Sequence, residues 1–219
     1  MKKIIELVCL IVVLSTCCTS FAFDDINDIN TIKAANELSR YSIINGYEDG
    51  TFKPENTITR AEFAKIIVGA ANLYNMVDET IGFEDTKNHW AEDYIKIVKY
   101  KGIINGMTEK TFEPDSNLTY EQAIKMIVCM LGYGEQAESE GGYPEGYLTL
   151  GNELGLTDNL NYVNKDYAKR GDIAVMIYNA LGVEYMITDE HGKRIDYIAE
   201  GLTLRKIHED LLEFNSFDD

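Results

Sequence analysis

A self-similarity at an offset of sixty residues constrains this chain more than any other feature. Phe23, Asp25, Ile43, Ile44, Asn45, Gly46, Thr51, Phe52, Pro54, Thr59, Lys65, Ile67 and Val68 recur without a gap as Phe83, Asp85, Ile103, Ile104, Asn105, Gly106, Thr111, Phe112, Pro114, Thr119, Lys125, Ile127 and Val128. Chance does not give so many identities in register. An internal repeat of this length is one supersecondary unit that buries its apolar face only by stacking on its copies. A third, divergent copy runs from about Tyr143 to Gly182: Gly155-Leu156 stands where the others have Ser42-Ile43 and Gly102-Ile103. Lys169-Arg170-Gly171-Asp172 opens its last apolar run, and Tyr143 precedes Gly155 by the interval that separates Trp90 from Gly102.

Each copy has the same local grammar. An aromatic-x-acid segment leads into an amphipathic helix, Trp90 to Tyr100 in copy two, with Ile95, Ile97 and Val98 apolar. A turn follows in which Gly46 and Asp49-Gly50 suit positive φ; Lys110 replaces Gly50 in copy two, so that turn differs in detail. The second helix opens with Thr59-Arg60-Ala61-Glu62 and with Thr119-Tyr120-Glu121-Gln122. A threonine followed three residues on by Glu or Gln is a capping box, so Thr59, Glu62, Thr119 and Gln122 are read as structural caps. Lys169 cannot cap its helix. The second helices are apolar nearly all round (Phe63, Ala64, Ile66, Ile67; Ala123, Ile124, Met126, Ile127; Ile173, Ala174, Val175, Met176) and must be buried on most sides. The expected fold is mainly all-α: three such helices in a central bundle, each first helix and turn splayed outwards, with a short hairpin and helix as a tail.

The charge excludes partners. Lys and Arg number 20 against 37 Asp and Glu, a formal −17, which argues against nucleic acid and against a polybasic grip on anionic lipid. Lys2 and Lys3, an apolar run from Ile4 to Leu14 interrupted only by Glu6, and Ser20-Phe21-Ala22 read as an export signal cleaved near Ala22. The alternative is lipidation at Cys17, in Leu14-Ser15-Thr16-Cys17. The apolar run is too short to span a bilayer, so no membrane association is expected after cleavage. Cleavage removes Cys9, Cys17 and Cys18 and leaves Cys129 as a small core hydrophobe, with a net charge of −18. The chain is then divided into a leader (1–22), repeats at 23–78, 79–136 and 137–182, and a tail (183–219).

The segments Phe83-Glu-Asp-Thr-Lys-Asn-His-Trp-Ala91, Gly46-Tyr-Glu-Asp-Gly-Thr-Phe-Lys-Pro54 and Ile58-Thr-Arg-Ala-Glu62 resemble the S-layer homology (SLH) repeat, over residues 23–182. The resemblance implies a three-pronged pseudo-trimeric spindle that anchors an exported protein non-covalently to the cell envelope. It implies as ligand a secondary cell-wall polysaccharide carrying an acidic pyruvyl ketal, held in grooves between repeats. In the family such grooves use the arginine of the Thr-Arg-Ala-Glu motif and residues of the aspartate–tryptophan segment, which here are Arg60, Asp85 and Trp90.

The residues themselves point the same way at Arg60. A cation in the first turn opposes the helix macrodipole, so Arg60 serves either a ligand or an ion pair. Free amides at a helix N-terminus beside a guanidinium suit a carboxylate. Arg170 carries the same expectation, with Asp172 as a competing partner. Tyr120 replaces the arginine in copy two; it can stack on a sugar but cannot pair with an acid. Trp90 either stacks on sugar or fills a prong, and Asp25 and Asp85 either cap the first helix or touch ligand. The best-preserved groove joins Arg60 to Asp85 and Trp90. Because the chain is acidic, an acidic polymer must be held by local cations at short range.

No catalytic constellation is visible. The mature chain has one thiol, no Gly-x-Ser-x-Gly, no phosphate loop and three scattered histidines (His89, His191 and His208), so neither enzyme activity, cofactor nor metal is expected. The alternative function is a calcium-stabilised structural or self-associating module of a surface layer, suggested by the oxygen-rich Asp24-Asp-Ile-Asn-Asp-Ile-Asn30.

Overall fold

In the computed structural model, residues 23–74, 82–189, 191 and 193–215 are described. The leader expected at 1–22, Cys17 within it and the first repeat boundary at 78 and 79 lie outside them. The repeats supply α1 (Ile29–Arg40), α2 (Arg60–Ala70), α3 (Glu92–Tyr100), α4 (Tyr120–Met130), α5 (Gly134–Ser139), α6 (Glu145–Glu153) and α7 (Arg170–Leu181). The tail adds β1 (Glu184–Thr188), β2 (Arg194–Thr203) and α8 (Leu204–Asn215). The molecule is mostly helical. Among the described residues no helix is long and apolar enough to cross a membrane.

Each first helix packs chiefly on the second helix of the preceding copy: α3 on α2, α6 on α4, and α1 of the first copy, closing the cycle, on α7 of the third. Each second helix therefore has a neighbour from another copy as well as the other second helices, since α2 packs on α4 and α4 on α7. That double burial is why nine of the eleven residues of α2 are buried. The amphipathic first helices need cover on one face only, and α1 buries Ala34, Ala35 and Leu38 there.

A cycle of backbone hydrogen bonds ties the three copies together just ahead of the second helices. Ile58 N–H donates to Ala168 O (3.3 Å), Ala168 N–H to Leu118 O (2.8 Å) and Leu118 N–H to Ile58 O (3.0 Å). All three residues are buried, where an unpaired amide would cost about 1–3 kcal/mol. No copy can leave the cycle without orphaning a buried amide in its neighbour.

Asp25 and Asp85 do not cap the first helices; their carboxylates hold backbone amides of their own copies. Asp85 accepts from Phe112 N–H (2.9 Å) and Glu113 N–H (2.7 Å), and Asp25 from Phe52 N–H (2.9 Å) and Lys53 N–H (2.7 Å). Lys53 and Glu113 sit at φ 57° and 59°, a left-handed conformation that costs a side-chain-bearing residue roughly 1–2 kcal/mol. The aspartates hold that turn. The first helix is capped instead by Asp28, which accepts from Thr31 N–H at 2.7 Å. Gly46 is needed for space rather than for positive φ: a Cβ there would meet Phe23 Cε1 at 2.2 Å.

Residues 135–142 contain most of α5, whose Ala137 is buried. The tail forms the expected antiparallel pair, although Glu190 and Gly192 of its turn lie outside the described residues. It also grips every copy. Met186 N–H donates to Leu131 O (2.9 Å), Arg205 pairs with Glu37 (2.7 Å) and donates to Tyr178 O (3.2 Å), and buried His208 places Nε2 2.9 Å from Ala70 O while stacking on Tyr41. Burial pushes the Cys129 thiol up to about 11, so it stays protonated at neutral pH.

Candidate functional site

An α-helix leaves its first amides without partners, and at α2 and α4 those amides are all spoken for. At α2, Thr59 N–H donates to Glu62 Oε2 (2.8 Å) and Glu62 N–H to Thr59 Oγ1 (3.1 Å), the reciprocal cap. Arg60 N–H and Ala61 N–H then cross to Ser116 O (3.0 Å) and Pro114 O (2.9 Å) of the next copy. The pattern repeats at α4, where Thr119 and Gln122 form the cap and Tyr120 and Glu121 donate to Asp166 O and Asn164 O. At α7, Arg170 and Gly171 donate to Asn56 O and Pro54 O. The expectation of free helix amides as an anion site is therefore overturned, because the neighbouring copy's carbonyls consume them. Any anion must be met by side chains.

Two clefts bring such side chains together, and each is built from all three copies. The first, about 260 Å³, is lined by Asn105, Gly106, Gln122 and Lys125 of copy two, Tyr143 of copy three and Arg60 of copy one. The second, about 310 Å³, is lined by Asn45, Gly46, Glu62 and Lys65 of copy one, Trp90 of copy two and Arg170 of copy three. One rule generates both: the turn and second helix of one copy, the aromatic of the next and the arginine of the preceding one. The expected groove of Arg60 with Trp90 is thus corrected. Trp90 lies with Arg170, and the aromatic beside Arg60 is Tyr143, because each first helix packs on the preceding copy. Asp85 is linked to Arg60 by hydrogen bonds through Phe112, whose N–H donates to Asp85 and whose carbonyl accepts from Arg60 Nε (2.8 Å).

Both guanidiniums are held rigidly. Arg60 Cζ lies 4.4 Å from the centroid of the Phe112 ring, and Arg170 Cζ lies 4.8 Å from Phe52 and 5.0 Å from Tyr47. Arg170 spends Nε on Phe52 O (2.8 Å) and Nη2 on Asn45 O (2.7 Å). Among the described residues, neither Nη atom of Arg60 has a hydrogen-bond acceptor. Burial pulls both arginines below their ordinary value, yet a guanidinium keeps its proton at neutral pH. Neither arginine is in a side-chain ion pair among the described residues, which removes the simpler explanation for Arg60.

The third equivalent position carries Tyr120, expected as a sugar-stacking residue; it is 3% exposed, with its ring 5.0 Å from that of Tyr162. Its hydroxyl donates to the Asp172 carboxylate and accepts weakly from Lys169 N–H (3.4 Å). The tyrosine therefore stands in for the capping box that Lys169 cannot make. Tyr120→Phe should lower stability by about 1–3 kcal/mol, the cost of stranding a buried polar group, and leave ligand affinity unaltered. Thermal melts beside binding isotherms check both halves.

Lys65 and Lys125 supply the second cation of each cleft, and Asn45 and Asn105 line its wall. None was singled out as a site residue, although all four are among the identities at offset sixty. A lysine repeated on an otherwise apolar helix was the available signal. The oxygen-rich segment 24–30 gathers no cation shell among the described residues: Asp25 and Asp28 accept backbone amides.

Residues 22–64 and 82–124 match the S-layer homology domain family. A "Middle cell wall protein" of Brevibacillus brevis is 31% identical over 172 residues, 77% of this chain and 16% of the relative. A "Cell surface protein" of Thermoanaerobacter kivui is 31% identical over 206 residues, 89% of this chain and 26% of the relative. A "Cellulosome-anchoring protein" of Acetivibrio thermocellus is 31% identical over 114 residues, 50% of this chain and 26% of the relative. The chain thus spans a small part of the length of these relatives.

Proposed function

With S-layer homology repeats at 22–64 and 82–124 as the premise, we propose that this chain is a non-catalytic anchor that holds its protein on the bacterial cell surface. It does so by binding cell-wall polysaccharide in the clefts at Arg60 and Arg170. A third, divergent repeat at 137–182 completes the module, and the cyclic packing supports the three-pronged spindle that the resemblance implies. The reading includes export through the leader at 1–22 and attachment through sugar rather than lipid.

One observation carries the proposal. Two clefts related by the repeat each combine a rigid, buried guanidinium, a lysine, an asparagine and an aromatic ring at the rim. Buried arginines are expensive to desolvate; each here donates Nε to a carbonyl of another copy, but Arg60 keeps both Nη groups without an acceptor among the described residues, which a purely structural role does not require. Concave walls with a few convergent polar groups are what a small-ligand site requires.

The test is retention of the chain on purified cell-wall polysaccharide and on cell wall stripped of it. Retention on the polymer with a change in Trp90 emission is expected, and none on stripped wall. Equal retention on both, or none on either, overturns the reading. Polymer-independent self-association that calcium strengthens would favour the surface-layer module instead.

A further inference from the structure

The two clefts share a plan but differ at the atoms they present. In the Arg60 cleft the N3 residue of the helix is Gln122; in the Arg170 cleft it is Glu62. The cap fixes which atom faces inwards. Gln122 Oε1 accepts from Thr119 N–H (3.2 Å), which leaves the donor Nε2 on the cleft side, 3.9 Å from Met107 Sδ. Glu62 Oε2 accepts from Thr59 N–H (2.8 Å), which leaves a second carboxylate oxygen, an acceptor bearing negative charge.

The arginines and rings sharpen the contrast. Arg60 keeps both Nη groups for a ligand, a fork that fits a carboxylate, whereas Arg170 has already given Nη2 to Asn45 O. Lys125 Nζ lies 5.2 Å from the Tyr143 ring centroid, so a cation lies over one face of that ring. The Tyr143 hydroxyl is held by Glu121 at 3.1 Å. Trp90 is 57% exposed, a broad apolar face suited to a pyranose ring. Outside the lining, the carboxylates of Glu113 and Asp85 act on Arg60 electrostatically but make no ion pair with it; Asp85 accepts two amides and Glu113 accepts from Ser116 Oγ (3.3 Å).

We propose that the clefts divide the polymer between them. The Arg60 cleft takes a carboxylate-bearing sugar, and the Arg170 cleft takes an uncharged sugar stacked on Trp90. The chain then reads a polymer in which acidic and neutral units recur together. This division rests on the polysaccharide-binding reading above.

Reciprocal substitutions test it. Gln122→Glu and Glu62→Gln each install the residue that already completes the equivalent cap in the other copy, so both should fold, as melting will verify. The full chain is titrated with wall polysaccharide, either native or with its carboxylates reduced to alcohols. Calorimetry reads total affinity, and emission from Trp90, the chain's single tryptophan, reads the Arg170 cleft alone. Reduction of the carboxylates should weaken binding about tenfold or more, the worth of a charged hydrogen bond, while the Trp90 signal persists. Gln122→Glu should reproduce that loss with native polymer, and Glu62→Gln should strengthen binding of native but not of reduced polymer. Wild-type affinity of Gln122→Glu for native polymer, or loss of the Trp90 response on reduced polymer, overturns the division. Failure of the wild-type chain to bind either form overturns the anchoring function itself.

Discussion

Phe112→Ala is expected to lower the stability of the whole module by about 3–5 kcal/mol, the range for deleting a buried phenylalanine. Phe112 is fully buried and its ring centroid lies 5.6 Å from that of Phe83. Truncation opens a cavity in copy two and removes the surface on which the Arg60 guanidinium rests at 4.4 Å. The backbone bonds to Asp85 and Arg60 survive in principle, but the side chain that kept them dry does not. Because each copy lies in a closed cycle, the loss should appear as one cooperative shift in denaturant midpoint, with no separate unfolding of copy two. A change below about 1 kcal/mol, or a biphasic transition, would show that the copies are less interdependent than their packing indicates.

The second large effect concerns binding. Arg60→Ala and Arg170→Ala should each weaken retention on wall polysaccharide, and together should reduce it roughly hundredfold or more, as expected when buried charged partners of a ligand are truncated. Folding should survive both changes, because the amide cycle of Ile58, Leu118 and Ala168 does not use the guanidiniums. The cost to stability is the stranding of the Phe112 and Phe52 carbonyls, which accept from the two Nε groups at 2.8 Å. Melting curves separate that modest loss from the loss of affinity. Full retention by a folded double variant would remove the arginines from the site.

Much of this was legible in the chain. Thr59 with Glu62 and Thr119 with Gln122 identify themselves as caps because the cap is a local interaction, settled by three residues of spacing. Arg60 stands out because its charge opposes the helix dipole. Asp25 and Asp85 were harder: their partners are the amides of residues 27 and 28 positions onward, and no local rule anticipates a clamp at that range. Tyr120 could be recognised as a departure, but not as a substitute cap for Lys169, a residue 49 positions away.

The sequence alone determined the repeat, its helices and caps, and the residue types that could grip an anion, since these follow from periodicity and near neighbours. Only the tertiary structure decided which copy contributes what to each cleft. First helices that bury one face can pack equally well, by pattern, on their own second helix or on the preceding one. The choice is made by how the three copies pack on one another, and it puts Trp90 beside Arg170 and Tyr143 beside Arg60.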